Sequence, residues 1–85
     1  MSQARNYIMA TISDLMEEKM GVKPKPDQHL KNDLNMDSLD IVELGMGLEH
    51  EFEVTIPDNE MAAFSMMTVQ EVVDFMDGLI VGKPI

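Results

Sequence analysis

The sequence predicts an all-α domain, a small bundle of three main helices plus one short helix. Three observations predict it. Apolar residues recur at three- and four-residue spacing in three separate segments. Two of those segments open on a residue suited to cap a helix, followed three residues later by a carboxylate that completes a reciprocal pair. Nowhere do apolar and polar residues alternate with the period of two that a half-buried strand requires. The chain has 85 residues, 45% of them hydrophobic. A chain of this size buries roughly 60% of its unfolded surface, enough for one modest core. A single domain over residues 1–85 is expected, without internal repeats or low-complexity segments.

The elements follow in order. Residues 3–20 form the first helix: Ile8, Ile12, Leu15 and Met16 make an apolar stripe, and Asp14, Glu17, Glu18 and Lys19 lie mostly off it. Gly21 is a suitable stop. The stretch GVKPKPDQHLKND is a loop, because Pro24 and Pro26 cannot continue a helix. Leu30 and Leu34 should anchor it in the core. Asp37 then caps a second helix, from Ser38 to Glu53, with Asp40 completing the box. Asn35, just before it, accepts positive φ more readily than most residues. After Pro57, PDNEMAAF suggests a short helix with Asp58 near its start. Thr68 and Glu71 open the last helix, whose stripe is Val69, Val72, Val73, Met76 and Leu79. Gly78 and Gly82 mark its fraying end. Met9, Met16 and Met76 are expected in the bundle. Met66 and Met67 either pack in the core or a loop or line an internal pocket, where a flexible thioether adapts to varied contents.

Composition excludes several functions. There is no cysteine, hence no disulfide framework and no thiolate metal site. The net charge of −10 weighs against nucleic acid, whose phosphates need lysine and arginine. No apolar run reaches the ~18 residues of a membrane span, and the N-terminus shows no basic-then-apolar signal. A soluble cytoplasmic monomer, not bound to a membrane, is expected. The charge is unevenly placed: nine acids and no lysine or arginine lie between Asp33 and Glu60. Such a run is ordinarily a solvated face, but it also suits a basic partner surface.

On a helical wheel at ~100° per residue, Ile41, Leu44, Leu48 and Phe52 form the core stripe of the second helix. Leu39, Glu43, Met46 and His50 fall roughly opposite, with Asp40 and Val42 on the flanks. An exposed apolar centre with an acidic rim near Ser38 describes a docking surface for a basic partner. Gly45 and Gly47 sit mid-helix, each at a cost of ~1 kcal/mol against alanine. Gly45 lies near the core stripe and Gly47 off it. They read either as tolerated defects or as room for something that enters the bundle.

Ser38 itself raises a question of chemistry. A nucleophilic serine needs a base to take its proton. His50 is about three turns along the same helix, and no strand-turn-helix elbow surrounds Ser38, so no catalytic residue is assigned. A hydroxyl at a helix N-terminus is better suited to being modified, because free N–H groups and the helix dipole stabilise a phosphate. A calcium loop is excluded: Asp33, Asn35 and Asp37 have the opening spacing, but Ser38 stands where glycine is needed and Leu44 where the bidentate glutamate is needed. No metal is expected.

The stretch DSLDIVELGMGLEHEFEVTIPD, preceded by LKNDLNMDSL and followed by MTVQEVVDFM, resembles the signature of acyl carrier proteins of the bacterial fatty-acid-synthase type, and the helix order fits nearly the whole chain. The D-S-L triplet alone is weak. With acids three residues apart, E-F at the helix end and I-P-D beyond, it is strong. The resemblance implies an acyl-carrier-protein-like fold and a non-catalytic carrier. Ser38, beside Asp37, would bear covalent 4′-phosphopantetheine installed by a phosphopantetheinyl transferase, and acyl intermediates would ride on the arm's thiol as thioesters. It further implies that Asp40, Glu43 and Glu49 meet basic docking patches on acyl transferases, ketoacyl synthases and related enzymes, while Leu39, Met46 and Ile56 supply apolar contact.

This chain departs from the family pattern at several places. Asn35 stands where glycine is usual, Gly45 and Gly47 replace larger residues, and His50 replaces an acid. The segment from Pro57 to Thr68 is about two residues longer. These departures leave open a specialised carrier for a polyketide or lipid pathway. From a different class, an acidic interaction module without a prosthetic group would need the charge alone and would be indifferent to Ser38.

Overall fold

The computed structural model describes residues 3–82. Four helices follow in order: α1 (Gln3–Met20), α2 (Ser38–Phe52), α3 (Asp58–Ala63) and α4 (Val69–Val81), with a 3-10 turn over Phe64–Met66 between α3 and α4. The described residues contain no strand. An isolated antiparallel bridge pairs His29 with Thr68.

The helix boundaries have local causes. Gly21, at φ +69°, ends α1, and its N–H donates to the Glu17 carbonyl at 2.9 Å. α2 begins at a complete capping box and ends at Glu53, which takes a left-handed conformation. α3 follows Pro57, which carries no side-chain cap, and it is only six residues long. At α4 the Glu71 N–H donates to Thr68 Oγ1 at 3.1 Å, and the Thr68 N–H donates to Glu71 Oε1 at 3.0 Å. Gly78, expected at the fraying end, lies inside α4. The helix continues to Val81, and Gly82 closes it with its N–H on the Gly78 carbonyl.

α1 lies against both α4 and α2, and α3 lies against α2. Ile8, Ile12 and Met16 of α1 meet Ile41, Leu44 and Leu48 of α2 and Val72, Val73 and Met76 of α4 in one buried cluster, with Phe64 of the 3-10 turn. Leu15, Phe52 and Leu79, expected on the same stripes, are half-buried at its edge. Phe52 meets Tyr7 edge-on, ring centroids 5.6 Å apart.

The long α1–α2 loop is held by the anchors read from the sequence, Leu30 and Leu34, both buried. It is also tied to the start of α4. The Leu30 N–H donates to the Met67 carbonyl, and the Val69 and Gln70 N–H groups donate to the carbonyls of Gln28 and Pro26 at 2.9 Å. Those last two are first-turn donors with no partner inside α4, so the loop satisfies what the helix cannot. Across the bundle, Arg5 of α1 pairs with Asp74 at 2.9 Å and Asp77 at 3.0 Å on α4.

Candidate functional site

Ser38 is the first residue of α2 and is exposed. Three local features set it there. Asn35 turns the chain at φ 56°. Asp37 holds an extended conformation and accepts the Asp40 N–H on Oδ1 at 2.8 Å. The Asp37 N–H in turn donates to Asp40 Oδ2 at 3.3 Å. Both carboxylates flanking Ser38 are therefore engaged with backbone, while the serine hydroxyl has no hydrogen bond among the described residues. Helix N-terminal N–H groups and dipole favour an anion at this end.

The outer face of α2 is as the wheel describes. Leu39 is 65% exposed and Met46 58%, and Glu43 and His50 are exposed beside them. Val42, on the flank, is 40% exposed and widens the apolar centre. One member of the expected partner face lies elsewhere. Ile56 is 2% exposed and belongs to the core cluster, so its side chain is not at the surface. The physical reason is that the segment after α2 turns inward, pinned by an Ile56 N–H to Glu49 Oε2 hydrogen bond of 2.7 Å. Glu49 thus has a structural use for one carboxylate oxygen.

Beside Ser38 a cavity of about 330 Å³ opens between α2 and α3, lined by Ser38, Ile41, Val42, Asp58, Met61, Ala62 and Ser65. Its size falls at the small end of ligand sites, and its walls are mainly apolar. No histidine is among the lining residues. His29 instead pairs with Asp33, Nδ1 to Oδ2 at 3.4 Å. Its backbone N–H donates to the same oxygen at 2.7 Å and holds the Asp33 carboxyl below its usual range. Met66 and Met67 do not line the cavity: Met66 is 78% exposed on the 3-10 turn, and Met67 packs partly against the core. The methionine that does line it is Met61. A signal for this wall was present in the short helix, where Asp58, Met61, Ala62 and Ser65 recur at helical spacing.

Gly45 and Gly47 are both close-packed rather than open. A Cβ on Gly45 would stand 2.8–2.9 Å from side-chain atoms of Met61, and one on Gly47 would stand 3.2 Å from Leu15 Cδ1. Gly47 is therefore a close approach to α1, not a position clear of the core. Among the described residues no group of three His, Asp or Glu is placed to hold a metal ion, and no helix is long and apolar enough to cross a membrane.

Comparison with known proteins bears on the same site. Residues 10–76 match the family described as the phosphopantetheine attachment site. An acyl carrier protein of Campylobacter fetus subsp. fetus (strain 82-40) is 42% identical over 71 residues, covering 80% of this chain and 90% of that protein. One from Chlorobium phaeobacteroides is 43% identical over 72 residues, covering 81% and 90%. One from Thermosynechococcus vestitus is 41% identical over 76 residues, covering 86% and 91%. A helical bundle that presents an unbonded serine hydroxyl at a capped helix start, beside an apolar cavity, fits what these matches require, and the chain belongs to the acyl carrier proteins, whose prosthetic group is covalent 4′-phosphopantetheine.

Proposed function

We propose that Ser38 is the attachment residue and that the chain carries acyl groups for the enzymes of fatty-acid or related lipid biosynthesis. The observation that carries this reading is the position of Ser38. Its free hydroxyl stands both at an anion-favouring helix start and on the rim of the apolar cavity. When bound, the arm supplies a terminal thiol on which acyl groups are held as thioesters. The chain's own residues do the rest. Asp37 and Asp40 fix the turn that presents Ser38. Ile41, Val42, Met61 and Ala62 offer an apolar lining that keeps the first part of an acyl chain from water.

Leu39, Val42 and Met46 form the centre of a docking face, with Asp40 and Glu43 at its rim. That pattern suits a phosphopantetheinyl transferase, acyl transferases and ketoacyl synthases with basic patches, since complementary charge speeds encounter and fixes register. Ser38 acts as an acceptor of the group and not as a catalyst. A single carrier domain, working as a cytoplasmic monomer, completes the reading.

The test is intact mass. With coenzyme A and a promiscuous transferase, the wild type gains one phosphopantetheine, localised to Ser38 by peptide mapping, and Ser38→Ala gains none. Modification elsewhere, or none where a control carrier is modified, refutes the assignment.

A further inference from the structure

Gly45 is buried in α2, and the space a side chain would need there is filled from α3. An ideal Cβ at Gly45 would lie 2.8 Å from Met61 Cε and 2.9 Å from its Cγ and Sδ, closer than real Cβ contacts come. The three nearest atoms all belong to one flexible side chain, and none is backbone of α3. Had Gly45 served only to let two helices approach, backbone atoms would be the obstacle. Instead the glycine forms a saddle in which the thioether of Met61 sits.

The same methionine lines the cavity beside Ser38. Ile41 and Val42 stand three and four residues beyond Ser38, and Gly45 stands four and three beyond them, so all four share a face of α2. Gly45 is the next position along the cavity wall, about 10 Å from Ser38 along the axis at 1.5 Å per residue. It does not border the cavity because Met61 stands between them. Met61 has three soft torsions and tolerates many packings. It is carried by a helix of six residues whose start lacks a side-chain cap, which places α3 among the less firmly held elements.

We propose that Met61 is a movable plug seated on Gly45, and that this pair sets the length of acyl chain the cavity receives. With Met61 on its saddle the cavity ends at the thioether. With Met61 swung aside, the cavity continues along α2 to the bare backbone of Gly45, and a longer chain is covered. The inference rests on the reading that an acyl chain borne on Ser38 enters this cavity.

The test uses the full chain carrying the arm, loaded with straight acyl groups from short to long, in four forms: wild type, Met61→Ala, Gly45→Ala and the double variant. The thermal midpoint of each is followed against chain length, because a group buried only in the folded state raises stability. In the wild type the gain should grow with length and then level. Met61→Ala removes the plug, and the levelling point should move to chains longer by about three carbons, the length of the Cγ–Sδ–Cε segment it lacks. Gly45→Ala evicts the thioether into the cavity, and the levelling point should move to shorter chains. The double variant removes both the plug and its saddle, and its levelling point should lie beyond that of Gly45→Ala alone. Should Gly45→Ala not fold, Met61→Ala against wild type decides the matter. A levelling point common to wild type and Met61→Ala overturns the plug while leaving the acyl-binding cavity intact. Absence of any length-dependent gain in all forms overturns the cavity reading and the plug with it.

Discussion

Glu49 and Ile56 are joined across seven residues: the Ile56 N–H donates to Glu49 Oε2 at 2.7 Å, and the Ile56 side chain is buried beneath that bond. Family likeness assigns both to a partner surface. Their geometry gives them a structural duty, since they return the chain from the end of α2 into the core before α3 begins. Glu49→Ala should therefore lower stability by ~1 kcal/mol, the scale of a partly exposed hydrogen bond to a charged acceptor. Glu43→Ala, on an exposed position without such a bond, should stay within about 0.5 kcal/mol. Urea unfolding of the two variants separates the roles. Equal small effects would return Glu49 to the docking face alone.

The second glycine of α2 should give a muted response. Alanine at Gly47 gains ~1 kcal/mol of helix propensity, but its Cβ would press on Leu15 at 3.2–3.3 Å. Leu15 is half-buried and can yield by a few tenths of an ångström. Gly47→Ala should thus change stability by less than the full gain. In a Leu15→Ala background the obstacle is gone and the full gain should return, a coupling of roughly 0.5–1 kcal/mol. Strict additivity in this cycle would remove the close approach as the explanation.

How much was legible in the sequence depends on how local each cause is. Asp37 with Asp40, Thr68 with Glu71, Gly21 and Asn35 act within a few residues, and each behaves as its residue type requires. The outer face of α2 follows from a single helix's periodicity, so Leu39, Glu43 and Met46 were placed by the wheel. The cavity required knowing which helix packs on which. Met61 becomes a wall only because α3 lies against α2, and the wheel of α2 alone cannot show that Gly47 abuts α1. Ile56 failed for a related reason. It stands between two loop residues with no periodicity around it, and its inward turn depends on a bond to Glu49, seven residues back, and on its place in the core cluster. Of the two places open to Met66 and Met67, loop or core packing is the one they take, because Phe64, ahead of them in the 3-10 turn, fills the buried position.

Stability should fall on the acid side through two carboxylates at the loop–α4 junction. The backbone N–H of His29 holds Asp33 below its usual range, and the backbone N–H of Thr68 does the same for Glu71, with weaker help from the Thr68 hydroxyl. A depressed folded-state pKa contributes stability that is present above the unfolded value and is lost as pH falls through the folded one. The relevant window lies below the ordinary values of 3.8 for Asp33 and 4.5 for Glu71. Both groups steady the segment where His29 pairs with Thr68. Thermal midpoints should therefore drop on acidification, and Asp33→Asn with Glu71→Gln should flatten that limb. An acid limb as steep in the double variant as in the wild type would move the cause elsewhere.

The docking face should be tested by charge reversal at a position that does not hold the fold. Glu43 is exposed on α2 between Leu39 and Met46, and among the described residues its side chain makes no hydrogen bond or ion pair. Glu43→Lys should leave the unfolding midpoint nearly unchanged and weaken binding to a ketoacyl synthase or to the transferase. The loss should appear mainly in the association rate, because a rim charge steers encounter more than it holds the complex. Raising salt should weaken the wild type as well, since exposed charges are screened within ~8 Å at physiological ionic strength. At high salt the two proteins should converge, leaving the apolar contribution of Leu39, Val42 and Met46, which Met46→Ala then reduces in both. If Glu43→Lys binds as tightly as the wild type at low salt, the acidic rim of α2 is only a solvated face, and partner recognition lies on another side of the bundle.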